Sequence, residues 1–281
     1  MTYLGDPSRL VLYELDGEVA KITLHRPEKM NAFNDQMVKE LADILRKFDL
    51  DGNARAAVVI GEGRAFSTGA DVKERQARPV EELATLPSPE GWDADSTQLF
   101  TRAIHWKPIV AAVHGYVLGM AFGMAIECEM IIASRDVKFQ VTETLRSLSP
   151  TRYWELLCWR TNEGFATKAA LAAEYISAEE ALAVGLVHES VEPDELWSAA
   201  KRAADRLAGL PPGAVRATVR ARRHHIRQIN EHARYDNELH KLHLTKDFTQ
   251  SVSGFVARAQ NSADQPAITN QTPIKPDGHG N

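Results

Sequence analysis

The feature that most constrains the fold is one long apolar run in the middle of the chain. From Ile109 to Ile126 the sequence reads IVAAVHGYVLGMAFGMAI, in which His114 is the one clearly polar residue. A run of this length can cross a bilayer as a helix, and its small residues at 115, 119 and 123 have the spacing of packed membrane helices. The same composition suits a buried strand, a glycine turn and a buried helix inside a protein.

The surroundings of this run favour the second interpretation. Lys107-Pro108 precedes it, Glu127 and Glu129 follow it, and the chain has no second hydrophobic span. The N-terminal sequence MTYLGDPSRL has no apolar signal-peptide core. We therefore expect a cytoplasmic protein with no membrane partner, in which a strand at Ile109–Val113 leads into a turn and a helix.

Composition excludes several classes of protein. The chain has 281 residues, of which 44% are hydrophobic and 25% charged, and these values are ordinary for a globular protein. A net charge of −5 gives no basic field that would attract nucleic acid. Two cysteines, Cys128 and Cys158, supply neither a four-thiolate zinc site nor a disulfide framework. A small molecule is the expected partner.

Hydrophobic periodicity predicts an α/β fold. Residues 10–15 and 19–24 are β-rich runs joined by Asp16-Gly17, which predicts a hairpin. Apolar spacing over Asp35–Leu50 predicts a helix capped by Asn34 or Asp35. Short apolar runs predict strands that are buried on both faces; they lie at 56–60, 109–113 and 130–133.

The second half of the chain reads mainly as helix. Residues 155–173 have a helical pattern, and Ser177 with Glu180 predicts a capped helix that stops at Gly185 before a strand. Further helices are predicted at 196–208, 213–229 and 231–259. The irregular stretch 75–106 suggests a lid or binding loop, and 261–281 a disordered tail.

Two strand-to-helix turns are candidate binding elements. In 61–71 and in 114–123, a strand ends in small residues and a helix starts, so backbone N–H groups near Ala70 and Met120 are expected to be unpaired. Two such donors aimed at one point form an oxyanion hole. Asp71 is interpreted as the cap of the helix that follows the first turn.

Six ordered segments carry a family resemblance. HRPEKMNAFN, AFSTGADVKE, KPIVAAVHGYVLGMAFG, CEMIIAS, FQVTE and ISAEEALAVGLVHESV follow one another over roughly residues 10–259. In order and spacing they resemble the crotonase, or enoyl-CoA hydratase/isomerase, family. The resemblance implies an α/β spiral of ββα units with a C-terminal helical region, and an enzyme of fatty acid metabolism that binds acyl-CoA thioesters and stabilises an enolate.

The same resemblance implies a domain division and an assembly. Residues 1–194 would form the spiral core, 195–260 a helical trimerisation region and 261–281 the tail. The protein would be a homotrimer or hexamer. Coenzyme A would enter as part of the substrate, with no separate cofactor.

Site residues follow from the resemblance position by position. Main-chain N–H groups of Ala70 and Met120 match the oxyanion hole, and Glu143 matches the family's second catalytic glutamate, an acid/base. Gly69 and Gly119 flank the two donors as substrate-binding positions. Tyr153 and Trp154 lie in a segment, 149–157, that replaces the family's glycine-rich turn and is expected to rebuild the acyl end of the pocket.

The main departure is the loss of one carboxylate. The family's first glutamate matches Gly123, which we still expect to contact substrate, and Glu127 one helical turn later is either a partial replacement or a structural residue. One carboxylate suffices for double-bond isomerisation, whereas standard hydration uses two. Hydratase-lyase, decarboxylase, acyl-CoA hydrolase and non-catalytic CoA-ester-binding functions stay open alternatives.

Other motifs are less specific. A basic helix is either a solvated face or a contact for the CoA phosphates. His240 and His243 share a helical face, but without companion ligands we expect no metal site. The basic helix carries Arg216, Arg220, Arg222, Arg223 and Arg227 with His224 and His225.

Overall fold

The computed structural model describes residues 8–85 and 106–261. Most of the predicted lid segment 75–106 and the predicted tail lie outside these ranges. The strands are β1 (Val11–Asp16), β2 (Val19–Leu24), β3 (Ala56–Gly61), β4 (Ile109–Val113), β5 (Tyr116–Leu118), β6 (Met130–Ser134), β7 (Lys138–Gln140), β8 (Ile176–Ser177) and β9 (Glu189–Val191).

Helices separate and follow these strands. The α-helices are α1 (Asp35–Leu50), α2 (Val80–Leu83), α3 (Met120–Glu127), α4 (Thr151–Arg160), α5 (Glu163–Ala172), α6 (Ala178–Ala183), α7 (Leu196–Gly209), α8 (Pro212–His240) and α9 (Lys246–Asn261). A π-helical turn at Val72–Gln76 and short 3-10 turns, among them Thr144–Arg146, complete the connections.

The larger sheet is mostly parallel and has the strand order β1-β2-β3-β4-β6-β9. The predicted hairpin is confirmed, because β1 and β2 pair antiparallel, and every other pairing in this sheet is parallel. A second sheet, β5-β7-β8, lies beyond the end of β4. Strand β5 was not predicted, since its three residues are hidden within the long apolar run.

The central strands are apolar throughout because both faces of the sheet are covered. Ala57 and Val59 belong to the main core on the α1 side, whereas their neighbours Ala56 and Val58 pack against α7. This alternation follows from the two-residue period of a strand. The mid-chain apolar run is therefore a buried strand, a turn and a buried helix, as predicted, with the short strand β5 inside the turn. Within the described ranges, no helix combines the length and apolarity that a membrane crossing requires.

The local capping predictions are confirmed. The Asn34 side chain accepts a hydrogen bond from the Met37 amide at the start of α1. Ser177 and Glu180 form a reciprocal capping box at the start of α6. Both arrangements satisfy amides that a helix leaves unpaired in its first turn.

Two helix boundaries were predicted wrongly. The helical pattern predicted over 155–173 begins earlier, at Thr151, and is interrupted, because Thr161 leaves the helical conformation and Asn162 caps α5 through the Phe165 amide. The break expected near Asn230 lies at Lys241, a left-handed residue (φ 45°). Helix α8 continues through Asn230 because its side chain bonds to other side chains instead of to nearby backbone.

A buried ionic network ties α3 to α4 and α8. Glu127 is 1% exposed, and its Oε1 accepts hydrogen bonds from Arg152 Nη2 (2.5 Å) and Asn230 Nδ2 (3.1 Å). Arg223, also buried, pairs with Glu129 at 3.1 Å. A buried charge without its partner is strongly destabilising, so each member depends on the others.

We expect Glu127→Ala to lower the free energy of unfolding by about 3–5 kcal/mol, because it leaves Arg152 buried without its carboxylate. The measurement is urea unfolding at fixed protein concentration. Glu155→Ala is the control, since it breaks a pair between α4 and α8 in which His232 is largely exposed. That variant should lose no more than about 1 kcal/mol. Similar losses in both variants would contradict a structural role for Glu127.

Candidate active site

A cavity of about 580 Å³ brings together elements from distant parts of the chain. Ala70, from the segment after β3, and Met120, at the start of α3, line it together with Glu143 from the turn after β7. Helix α9 contributes Phe255 as part of another wall. The three residues predicted to be catalytic therefore border one cavity.

The two predicted turns run side by side. Ser67 donates its amide to Tyr116 O (3.1 Å) and accepts from the Leu118 amide (3.1 Å), which forms a short parallel bridge between them. Gly69 then lies so close that a Cβ there would sit 2.6 Å from Leu118 O and 3.4 Å from Met120 N. Its φ of +83° is also a conformation that L side chains rarely adopt. Glycine at 69 is what lets the two turns meet.

Backbone pairing orients the Ala70 amide. Phe33 bridges to this segment by donating to Gly69 O (2.8 Å) and accepting from the Asp71 amide (2.9 Å). In this parallel bridge Phe33 bonds to the two residues that flank Ala70 and not to Ala70 itself. The N–H of the flanked residue in such a bridge points away from the partner strand. The Ala70 N–H is therefore turned away from Phe33.

The Met120 amide is held at the first position of α3. An amide in the first turn of a helix has no acceptor within the helix. Gly119, with φ +48°, anchors the turn by donating its own amide to Gln140 O (2.9 Å). Among the described residues, no backbone group accepts a hydrogen bond from the Met120 amide.

Glu143 follows β7 and begins the 3-10 turn at Thr144–Arg146. Its main-chain carbonyl accepts from the amides of Arg146 (2.8 Å) and Leu148 (2.9 Å), which fixes the backbone of the turn. Its Oε1 lies 3.4 Å from the position that a Cβ on Gly119 would occupy. The carboxylate is thus half-buried beside the start of α3.

Two further carboxylates on the cavity wall are held by one arginine. Arg26 is buried and pairs with Asp71 (2.7 Å) and Glu74 (2.9 Å). The Asp71 side chain also accepts from the Glu74 amide at 3.3 Å, so the prediction that it caps the following helical turn is confirmed. Both acids are thus held in ion pairs with Arg26.

The residues expected at the acyl end do not line the cavity. Trp154 is partly exposed and donates its indole N–H to Thr167 (3.0 Å). Tyr153 is buried in the main core, and a side chain on Gly123 would overlap Arg152 and come within 3.0 Å of the Tyr153 ring. The structure thus places Gly123 and Tyr153 in the core, where Gly123 makes room for the Arg152 side chain, and Trp154 at the surface.

Glu127 is also placed away from the cavity. Its bonds to Arg152 and Asn230 assign it to the structural alternative rather than to the replacement of the missing carboxylate.

Arg146 is the main cavity residue that sequence reasoning missed. Its guanidinium lies 4.0 Å from the centre of the Phe255 ring, so it joins the turn after β7 to α9. Burial lowers the pKa of Arg146 below its usual value, although the negative charge of Glu143 acts in the opposite direction. The spacing Glu143–Arg146, one 3-10 turn, is a signal that could have found it.

The basic helix is not simply a solvated face. Arg223 is buried against Glu129, and the Arg222 guanidinium lies 4.8 Å from the centre of the Trp159 ring. Arg216, Arg220 and Arg227 are exposed. None of these residues lines the cavity with Glu143. In the described part of the chain, no group of three His, Cys, Asp or Glu residues is arranged to hold a metal ion, and His243 is buried with its pKa lowered by that burial.

Comparison with known proteins agrees with this architecture. The (E)-benzylidenesuccinyl-CoA hydratase of Thauera aromatica is 35% identical over 213 residues, covering 75% of this chain and 81% of that protein. A probable enoyl-CoA hydratase of Rhizobium meliloti is 32% identical over 251 residues, covering 88% and 95%. The crystal structure of an enoyl-CoA hydratase/isomerase from Pseudoalteromonas atlantica superposes with a TM-score of 0.77 at 25% identity, covering 89% of this chain and 98% of that one.

The family model described as enoyl-CoA hydratase/isomerase matches residues 14–265, which is most of the chain. The predicted α/β fold with a helical C-terminal region is confirmed by the solved structures. The chain belongs to the enoyl-CoA hydratase/isomerase family and is an acyl-CoA-processing enzyme of that type.

Proposed function

We propose that this enzyme holds the thioester oxygen of an acyl-CoA between the amides of Ala70 and Met120 and moves a proton with Glu143. The observation that carries the proposal is that all three residues line one cavity. Deprotonation beside a thioester places negative charge on the carbonyl oxygen. Two fixed N–H donors stabilise that charge without having to reorganise during the reaction.

Double-bond isomerisation is the reaction that a single carboxylate serves best. Glu143 takes a proton from the α-carbon of a 3-enoyl thioester, and the electron pair of that C–H bond moves to the thioester oxygen. The enolate oxygen then re-forms its C=O bond, a new double bond forms between the α- and β-carbons, and the electron pair of the old β,γ double bond takes the same proton from Glu143 at the γ-carbon. The carboxylate is regenerated, so one group acts as base and then as acid.

The residues around Gly123 support this choice over the standard two-carboxylate hydration. A side chain at 123 would overlap Arg152, which is held by Glu127. Asp71 and Glu74, the acids across the wall, are paired with Arg26. Hydration is the second candidate reaction, because the relatives from Thauera aromatica and Rhizobium meliloti are named hydratases. In that case Glu143 would activate water by itself.

The assembly and setting belong to the same proposal. We infer a homotrimer or hexamer in the cytoplasm, with coenzyme A brought in by the substrate and no separate cofactor. The family resemblance supports each of these points.

Replacing the proposed base tests the mechanism directly. We expect Glu143→Gln to lower 3-enoyl-CoA isomerisation by about 10²–10⁴-fold, because the amide cannot accept the α-proton. The same variant should lose deuterium exchange at the α-carbon of a saturated acyl-CoA in D₂O. That exchange reports enolate formation whichever net reaction the enzyme performs.

Glu155→Gln is the control, since this carboxylate lies on α4 and not on the cavity. It should retain both activities. Full exchange in Glu143→Gln would remove Glu143 from the mechanism. If crotonyl-CoA hydration in the wild-type enzyme is faster than isomerisation, the second candidate reaction replaces the first.

A second prediction concerns the missing carboxylate. Gly123→Glu should fail to raise crotonyl-CoA hydration and should lower the thermal midpoint, because the new side chain displaces Arg152 from its buried pair. Gly164→Glu is the matched control, since Gly164 lies in the exposed first turn of α5, where negative charge is favourable. A Gly123→Glu variant with unchanged stability and increased hydration would contradict the structural role given to Gly123.

A further inference from the structure

Arg146 and Glu143 are presented to the cavity by the same turn. They are three residues apart across the 3-10 turn Thr144–Arg146, a spacing at which side chains eclipse one another. Both residues line the cavity. A substrate whose reacting carbons lie at Glu143 therefore places the adjacent part of its acyl chain near Arg146.

The orientation of Arg146 is fixed by Phe255. The guanidinium carbon lies 4.0 Å from the centre of the Phe255 ring, within stacking distance. Stacking uses a face of the guanidinium and leaves its N–H edges available for hydrogen bonds. The side chain is thus held ready for a planar acceptor without being occupied by one.

The buried end of Arg146 has an unused donor. Its Nη1 is shielded from solvent, and no residue in ranges 8–85 and 106–261 accepts a hydrogen bond from it. Burial lowers the pKa of Arg146, which reflects the cost of keeping a charge there. A buried donor left without an acceptor is itself destabilising.

Arg146 is half-buried, and two fully buried arginines elsewhere in the protein show what a shielded guanidinium requires. Arg152 is bound to Glu127 at 2.5 Å and Arg223 to Glu129 at 3.1 Å. Each of these positive charges has a carboxylate of the protein within hydrogen-bond distance. Among the described residues, no carboxylate forms an ion pair with Arg146; the charge of Glu143 acts on it from the other end of the turn, and the space beside it is the cavity.

We propose that Arg146 binds a carboxylate carried by the acyl chain, so that the preferred substrates are CoA thioesters of dicarboxylic acids. A carboxylate matches the guanidinium fork with two parallel hydrogen bonds. The proposal rests on the proposed function only in taking Glu143 to mark the acyl end of the cavity. The other cavity cations, Lys29 and Lys73, are exposed and lie on different segments.

Binding of saturated thioesters tests this without any turnover. Glutaryl-CoA and pentanoyl-CoA have acyl chains of equal carbon number and differ in the terminal carboxylate. Titration calorimetry on the full-length wild-type protein should show tighter binding of glutaryl-CoA. Arg146→Met should weaken glutaryl-CoA binding by about 10- to 100-fold, the range for a lost hydrogen bond to a charged group. It should change pentanoyl-CoA binding far less.

Two further variants keep the result interpretable. Arg146→Lys retains the charge but loses the planar guanidinium fork. Its loss of affinity should again be confined to glutaryl-CoA and should be smaller than that of Arg146→Met. Arg135→Met removes an exposed arginine that pairs with Glu192, and it should leave the ratio of the two affinities unchanged. Thermal midpoints show whether each variant is folded. If Arg146→Met is unfolded, the affinities of Arg146→Lys decide the result.

Equal wild-type affinity for the two thioesters would overturn the proposal. Equal losses for both thioesters in Arg146→Met and Arg146→Lys would also overturn it, since Arg146 would then only support the cavity or hold Glu143. Neither result depends on enolate formation. Full deuterium exchange by the Glu143→Gln variant, by contrast, would remove the proposed mechanism. The binding preference for glutaryl-CoA would still be measured on its own.

Discussion

The close approach of the Gly69 turn to Leu118 is the constraint on which the site depends. Ser67 pairs with the backbone around Val117, and the absence of a Cβ at 69 lets this contact continue to Met120. The Gly69 turn continues from β3, and the Leu118 turn belongs to the segment after β4. Strands β3 and β4 are neighbours in the sheet. Because the sheet is buried on both faces, the distance between the two turns is set by core packing rather than by flexible loops.

Charge is divided between two layers of the molecule. Behind the cavity wall, Glu127, Arg152, Glu129 and Arg223 neutralise one another at short distances and join three helices. On the cavity wall, Arg26 neutralises Asp71 and Glu74. Glu143 and Arg146 are two charged residues that one short turn presents to the cavity. The glycine at 123 is coupled to the inner layer, because Arg152 occupies the space that a side chain there would need.

Much of the fold could be predicted because local signals agree with the tertiary structure. The Asp16-Gly17 hairpin, the Asn34 cap and the Ser177–Glu180 box each have a short-range physical cause. The helix break placed near Asn230 was wrong because the side chain that satisfies Asn230 lies over a hundred positions away, at Glu127. Likewise, the family pattern indicated which residues reach the cavity from the glycine turns. It did not indicate that Tyr153 packs in the core or that Trp154 bonds to Thr167 at the surface, since both positions depend on tertiary packing.

Helix α9 closes the cavity with Phe255, and its Phe248 and Val252 pack on Val72 and Leu83. During synthesis, Ala70, Met120 and Glu143 emerge from the ribosome well before this helix does. A nascent chain can therefore form its central sheet while the cavity still lacks a wall and Arg146 lacks its stacking partner. We therefore expect the complete cavity wall to form only when the C-terminal helix docks, late in folding.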